Sequence, residues 1–232
     1  MPQPPRVIIV SHGQPSDPDV GEAEIIALAQ ATAQHLPAAE VRGATLAAKG
    51  ALETALDGCD APLIYPFFMS DGWFTKSALP KRLTGTNARQ LPPFGLDPDL
   101  PAFTTHWLTS VLQTENWRPE DTSLFIAAHG SGRSPRPAEV TQTFAGHLAE
   151  LRPWGDIRCG FVEQEPFLEQ AATRLPSQSI CLPFFALKRG HVLEDLPEAL
   201  TKTNFQGRLL DPFGLHPDLP AFLAKSLARD LP

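Results

Sequence analysis

Three residues with metal-binding side chains each follow a short apolar segment in the second half of this 232-residue chain. His129 follows SLFIAA, Glu163 follows DIRCGFV, and His191 comes shortly after SICLPFF. Two imidazoles and a carboxylate are borderline ligands that suit divalent iron, cobalt, nickel or zinc. Imidazole also exchanges protons near neutral pH. If the fold brings them together, these residues predict a site that binds a divalent metal ion and moves protons.

The apolar segments alternate with helix-like segments, which predicts parallel βαβ units. RPAEVTQTFAGHLAELR has apolar residues at helical spacing, and LEDLPEAL and PDLPAFLAKSLARDL are further predicted helices. A strand order of 2-1-3-4 would place the first and third strands side by side, and ligands bind beyond the carboxyl ends of such strands. His129, Glu163 and His191 follow the first, second and third strands of this half, so we expect them to converge in one crevice.

An internal duplication organises the chain. Three pairs of segments recur in the same order at nearly constant spacing: SHG with AHG, PFF with PFF, and PFGLDPDLPAF with PFGLHPDLPAF. The last pair differs only at Asp97 and His216. We predict an α/β protein of two similar tandem domains, 1–117 and 118–232, each a four-stranded parallel sheet flanked by helices in flavodoxin-type order, with a cleft between them.

The two repeats differ at the metal-binding positions. At an offset of 117 residues, the first repeat keeps one histidine, His12, but has Leu46 and Phe74 where the second repeat has its glutamate and its second histidine. The second repeat is therefore predicted to carry the chemistry. The first repeat is predicted to serve as a wall of the cleft and a folding partner.

Composition excludes several classes of protein. A net charge of −7 argues against nucleic-acid binding, which requires a basic face. No apolar run reaches the roughly 20 residues of a membrane span, and the first residues lack the apolar stretch of a signal peptide. Three cysteines are too few for a disulfide framework and favour the cytoplasm. We interpret Cys159 and Cys181 as buried core thiols rather than metal ligands.

The segments AAHGSGRSP, GFVEQEP and LPFFALKRGHVLEDLP resemble the sirohydrochlorin chelatase family, the class II tetrapyrrole chelatases. In that family a strand is followed by His-Gly-Ser, a second ends in Phe-x-Glu, and a third leads to Gly-x-His or Gly-His before an Asp-x-Pro helix. His129, Glu163 and His191 fall on these positions. The resemblance covers essentially the whole chain and is strongest in the second half. It implies a lyase that inserts Fe2+ or Co2+ into sirohydrochlorin, with these three residues as metal ligands and catalytic groups and with no organic cofactor.

The resemblance also implies a substrate with eight carboxylates. Arginine side chains match carboxylates well, and the loop after the first strand leads into a helix N-terminus, which favours anions. The candidate substrate-binding residues lie on the two loops that carry the histidines, and they are Ser131, Arg133, Arg136, Lys188 and Arg189.

Several alternatives remain open at this point. Iron is preferred only because sirohaem is the more widespread product, so a cobaltochelatase of cobalamin biosynthesis is the first alternative. A non-catalytic carrier of metal or tetrapyrrole would share every motif. A histidine before a glycine can also be a simple turn residue. Hydrolysis is disfavoured because the chain has no Gly-x-Ser-x-Gly elbow, and phosphatase chemistry because Ala128 precedes His129.

Since shorter family members form homodimers of a single copy, this tandem chain is expected to act as a monomer.

Overall fold

The computed structural model describes residues 4–231, which form two sheets of identical topology. The strands are β1 (Arg6–Ser11), β2 (Glu40–Thr45), β3 (Leu63–Pro66), β4 (Arg89–Gln90), β5 (Ser123–Ala128), β6 (Asp156–Phe161), β7 (Ser179–Phe184) and β8 (Arg208–Leu209). The order is β2-β1-β3-β4 in the first sheet and β6-β5-β7-β8 in the second. All strand pairs are parallel. The predicted pair of four-stranded parallel α/β sheets is therefore confirmed.

Helices connect the strands, as parallel pairing requires. They are α1 (Pro18–His35), α2 (Ala51–Leu56), α3 (Leu79–Arg82), α4 (Leu100–Glu115), α5 (Arg136–Leu151), α6 (Leu168–Ala172), α7 (Gly190–Leu193), α8 (Asp195–Lys202) and α9 (Leu219–Ala228). Five of these helices have a proline at their first or second position, where its missing N–H costs nothing. Within the described residues, no helix is both long and apolar enough to cross a bilayer.

The central strands of each sheet form the core. Every residue of β5 and β7 is buried, as expected for parallel strands that helices cover on both faces. In the second sheet, Phe125 and Cys181 pack with Leu196 and Leu200 of α8. The prediction of a core thiol is confirmed for Cys181, whereas Cys159 on β6 is only half-buried. Burial raises the pKa of Cys159 to about 11, so this thiol is a poor metal ligand at neutral pH.

The structure consists of two compact units. Each unit contains the sheet of one sequence repeat and the last helix of the other repeat. One unit comprises residues 4–97 and 217–231, and the other comprises residues 98–216. Accordingly, α9 packs against α1, and α4 packs against α5. The compact units thus do not follow the predicted boundary between residues 117 and 118. The repeats are present in both sheets, but their last helices belong to the opposite units.

The helices α9 and α4 make different contacts with the residue at which the two PFGL segments differ. This residue is Asp97 in one segment and His216 in the other. In the first unit, the buried Asp97 carboxylate accepts hydrogen bonds from Ser226 Oγ and, at 2.8 Å, from Arg229 Nη2. In the second unit, His216 packs against the indole ring of Trp107, with ring centroids 4.7 Å apart. Ser226 and Trp107 are equivalent positions of the two repeats. Because a buried carboxylate needs polar partners and an imidazole packs well on an indole, each helix suits only one unit.

Replacing Asp97 with Ala should destabilise the first unit. The Asp97 side chain is 4% exposed, and its loss removes an acceptor from both Ser226 and Arg229. We expect the free energy of unfolding to fall by about 1–3 kcal/mol in urea denaturation. The matched control is Asp230→Ala, because Asp230 pairs with Arg89 at 3.0 Å on the surface and should contribute less than about 1 kcal/mol. Equal losses in the two variants would contradict a stabilising role for the Asp97 contacts.

Candidate active site

Three parallel strands of the second unit end at the same level. β5 lies between β6 and β7, and its last residue, Ala128, is in register with Phe161 of β6 and Phe184 of β7. Parallel strands present their carboxyl ends at one edge of the sheet, where ligands bind in this kind of fold. The residues that follow the three strands are therefore brought to the same edge.

The loop after β5 turns sharply at Gly130. This residue has a φ of +67°, and a β-carbon there would lie 2.8 Å from both Gln164 Cγ and Phe161 Cβ. The Gln164 side chain also accepts a hydrogen bond from the Ser131 N–H at 2.8 Å. Only glycine satisfies both the left-handed conformation and the close approach. The turn holds His129 directly at the end of β5.

The loop after β6 places Glu163 beside His129. The backbone N–H of Glu163 donates to the His129 carbonyl at 3.0 Å, which extends the β5–β6 pairing beyond the ends of the strands. Glu163 Oε2 lies 3.8 Å from His129 Nδ1. Backbone pairing therefore places the two residues side by side.

A short helix after β7 carries His191 to the same edge. His191 is the second residue of α7, and its ring meets that of His129 edge to face, with centroids 4.7 Å apart and planes at 86°. On its other side, His191 Nδ1 lies 2.8 Å from Asp195 Oδ2. The two imidazoles, which are 62 residues apart in the sequence, are thus in direct contact.

The three predicted ligands form one cluster. One potential ligand atom from each of His129, Glu163 and His191 lies within 4.8 Å of the others, and the side chains are between 40% and 49% exposed. His129 Nδ1 faces the Gly130 carbonyl at 3.0 Å, and His191 Nδ1 faces a carboxylate. Since these oxygens accept hydrogen bonds, Nδ1 carries the proton in each neutral ring, and Nε2 keeps its lone pair for a metal ion.

Such a cluster is suited to temporary binding of a divalent ion. Closed structural sites surround a metal with four protein ligands, whereas three ligands leave a position open for exchange. Exposure of nearly half of each side chain gives an ion access from solvent. An imidazole whose Nε2 has released the metal can then accept a proton there.

The predicted substrate contacts on the first loop lie at its surface. Arg133 is exposed, and its backbone N–H donates to Ser131 Oγ at 3.2 Å. Arg136 is the first residue of α5, and its Nη1 lies 3.7 Å from Glu139 Oε2. The Ser131 hydroxyl therefore also stabilises the loop that carries these basic groups.

The predicted contacts on the second loop precede α7. Lys188 Nζ lies 2.8 Å from Asp211 Oδ1, so part of its charge is neutralised within the protein. Arg189 is half-buried and directly precedes the first residue of α7. The structure places all five predicted contacts on or next to the loops that flank the cluster, and their binding of a substrate stays a prediction.

In the first unit, the equivalent edge keeps one histidine in apolar surroundings. His12 Nδ1 faces the Gly13 carbonyl at 2.8 Å, as His129 faces Gly130. Its ring neighbour is Phe74, with centroids 4.2 Å apart. Phe74 thus occupies the place that His191 takes in the second unit, as the repeat offset predicts.

Leu46, the predicted counterpart of Glu163 in the first repeat, is wrong by one residue. The Ala47 N–H donates to the His12 carbonyl at 2.9 Å, which is the contact that Glu163 makes with His129. Leu46 instead packs against the hydrophobic core of the first unit. The offset fails here because the connection from β1 to β2 is one residue longer than the connection from β5 to β6. In either alignment, an apolar residue replaces the glutamate.

Two residues that support the cluster are not predicted as site residues. Asp195 reads in the sequence as an ordinary acidic residue at a helix start, although its spacing of four from His191 could have indicated a contact on one helical face. Gln164 gives no local signal, because its partner Ser131 lies 33 residues away.

The candidate site is thus a cluster of three potential ligands at the carboxyl edge of a parallel α/β unit, in a chain built from two such sheets. The CbiX family model matches residues 123–230, which include the whole cluster. The solved structure of CbiX, the terminal enzyme for biosynthesis of siroheme in denitrifying bacteria, is 47% identical to this chain. The similarity covers 98% of this chain and 100% of that one, with a TM-score of 0.90. The chain therefore belongs to the CbiX family of sirohydrochlorin chelatases.

More distant relatives share parts of the sequence or the fold. A probable sirohydrochlorin cobaltochelatase of Halobacterium salinarum is 22% identical over 166 residues, which are 60% of this chain and 56% of that relative. The chain thus matches little more than half the length of this relative. SirB from Bacillus subtilis, solved with Fe3+, is 15% identical, with a TM-score of 0.78 over 100% of this chain and 96% of that one, and shows the same fold.

Replacing Gly130 with Ala should distort the turn that holds His129. The added β-carbon would meet Gln164 and Phe161 at 2.8 Å in a left-handed conformation. We expect the free energy of unfolding to fall by more than about 1 kcal/mol in urea denaturation. The matched control is Gly146→Ala on α5, where a β-carbon meets nothing within 4 Å and should instead stabilise the helix by about 0.5–1 kcal/mol. A neutral Gly130 variant would contradict the requirement for glycine.

Proposed function

We propose that this chain is a sirohydrochlorin ferrochelatase, a lyase that inserts Fe2+ into sirohydrochlorin to give sirohaem. The observation that carries the proposal is the cluster of His129, Glu163 and His191 at one sheet edge. The relative that is 47% identical is described as the terminal enzyme for biosynthesis of siroheme, which supports iron as the metal.

The proposed reaction exchanges the ligands of the ion and removes two protons from the macrocycle. Four inward ring nitrogens replace the water and protein ligands of Fe2+, and two of these nitrogens are protonated at the start. The oxidation state of the metal does not change, so the reaction needs neither an electron donor nor an organic cofactor.

The cluster would perform both parts of this exchange. The Nε2 atoms of His129 and His191 and the Glu163 carboxylate would bind the incoming Fe2+. As the ring nitrogens take over the ion, the released imidazoles and carboxylate can accept the departing protons. The partial exposure of these side chains would let the protons pass to solvent.

The carboxylates of the macrocycle require positive partners, because the chain has a net charge of −7. We assign this role to the basic groups on the two flanking loops, Arg133, Arg136, Lys188 and Arg189, together with the Ser131 hydroxyl. Guanidinium groups bind carboxylates through paired hydrogen bonds. These residues would orient the ring over the cluster.

The proposed enzyme acts as a monomer in the cytoplasm, without nucleic-acid or membrane partners. The tandem chain supplies both modules that shorter family members obtain by pairing. All three cysteines are free, which suits a reducing compartment.

Cobalt is the alternative metal, and the relative from Halobacterium salinarum supports it, since that protein is described as a probable sirohydrochlorin cobaltochelatase. Two imidazoles and a carboxylate bind both ions, so the ligands do not select between them. A non-catalytic carrier is the second alternative, because an open three-ligand site could also deliver a metal ion.

Replacing His191 with Ala should lower the rate of metal insertion by at least about 100-fold, because the variant loses both a ligand and a proton acceptor. The rate is measured from the change in the visible spectrum of sirohydrochlorin with Fe2+ under anaerobic conditions. His12→Ala is the matched control, since His12 has the same backbone contact but a phenylalanine neighbour, and its rate should stay near that of the wild type. Wild-type rates for His191→Ala would contradict the site assignment.

Competition between metals should distinguish the alternatives. With Fe2+ and Co2+ at equal concentration and the protein in catalytic amount, a ferrochelatase should convert many equivalents of sirohydrochlorin mainly into the iron product, as read from the product spectra. A majority of cobalt product would favour the cobaltochelatase. Conversion that stops at one equivalent per protein would identify a carrier.

A further inference from the structure

We infer that Asp195 positions His191 for metal binding and makes it the stronger of the two imidazole ligands. The inference rests on the proposed function for its chemistry, but it concerns metal binding by the protein alone. It is based on the contact between Asp195 Oδ2 and His191 Nδ1, which are 2.8 Å apart.

This contact fixes the state of the imidazole in two ways. A carboxylate accepts the Nδ1 proton, so the neutral ring keeps an unprotonated Nε2, and the bond holds the ring in one orientation. A carboxylate partner also makes a ligating imidazole more basic towards a metal ion. Because His191 is 40% exposed, its ring is only partly held by packing, and the hydrogen bond supplies the missing restraint.

Among the described residues, the other imidazole has no carboxylate partner at hydrogen-bonding distance. His129 Nδ1 faces the neutral backbone carbonyl of Gly130 at 3.0 Å. Glu163 Oε2 is 3.8 Å from the same nitrogen, which is too long for a direct hydrogen bond. The two histidines are therefore chemically different, with a carboxylate behind His191 and a peptide group behind His129.

In the first repeat, the counterparts of His191 and Asp195 have both lost their polar side chains. At the offset of 117 residues, Phe74 stands at the His191 position and Ala78 at the Asp195 position. His12, whose partner is a backbone carbonyl, is retained. This pattern is expected if the carboxylate acts through the imidazole, because it has no purpose once the imidazole is gone.

If Asp195 served only to stabilise the start of α8, its loss together with His191 in the first repeat would be less expected. An acidic residue in the first turn does stabilise a helix. However, the equivalent position in the first repeat, Ala78, ends a π-helical turn (Phe74–Ala78) that continues directly into α3, which has no acidic residue in its first turn. The helical segment of the first repeat therefore does not depend on a carboxylate at this position.

The test is a titration of the metal-free protein with Co2+ alone, followed by the visible absorption bands of the bound ion. Asp195→Ala should weaken Co2+ binding by about 10–100-fold. Asp195→Asn should lose less Co2+ affinity, because its amide oxygen still accepts a hydrogen bond from Nδ1. This variant keeps the inference testable if Asp195→Ala fails to fold. Glu198→Ala is the matched control, since it also removes an acidic residue of α8, one that pairs with Lys202 at 2.7 Å, and it should bind like the wild type.

A double variant separates positioning from a structural role. In the His191→Ala background, adding Asp195→Ala should cause no further loss of Co2+ binding, because the imidazole through which Asp195 acts is absent. The same loss in both backgrounds, or wild-type binding by Asp195→Ala, would overturn the inference. If His191→Ala alone binds Co2+ like the wild type, the proposed metal site itself is wrong, which is a distinct result.

Discussion

The pairing of β5 with two parallel neighbours is the constraint on which the candidate site depends. Ala128 is in register with the last residues of both β6 and β7, so three chain segments leave the sheet at one level. Parallel pairing allows no short hairpins, and each return passes through a helix. Residues far apart in the sequence are consequently brought together, and the ligands do not need long flexible loops to meet.

The sheet of the first unit shows that this fold forms without the candidate metal ligands. The first unit has the same strand order and the same backbone contact after its first strand, but an aromatic pair of His12 and Phe74 replaces the pair of histidines. Ring-to-ring packing is thus preserved while the second imidazole is lost. The fold is therefore separable from the candidate site, because the core lies within the strands and the candidate ligands lie beyond their ends.

Much of this arrangement can be predicted from the sequence because it depends on local patterns. Continuous apolar runs identify the buried strands, the repeats fix the shared topology, His129 directly follows a strand end, and His191 comes shortly after one. The register between strands is less predictable, and one extra residue before β2 was enough to shift the counterpart of Glu163 from Leu46 to Ala47.

The assignment of the last helices could not be predicted for a different reason. The two PFGL segments are nearly identical, so local sequence does not show which unit each following helix joins. That choice depends on contacts between distant residues, such as Asp97 with Arg229 and His216 with Trp107. The link between His191 and Asp195 belongs to the same category, since spacing permits the contact but only the side-chain conformations make it.

The unequal partners of the two imidazoles bear on how a proposed chelatase can release its metal. A site that inserts an ion must bind it firmly enough to strip water but less firmly than the macrocycle does. Four rigid ligands would trap the ion, whereas three partly exposed ones leave room for ring nitrogens to replace them. In the proposed site, His129, whose Nδ1 is hydrogen-bonded to a peptide carbonyl, is the ligand expected to leave first, and His191 with its carboxylate would hold the ion until the ring has taken it.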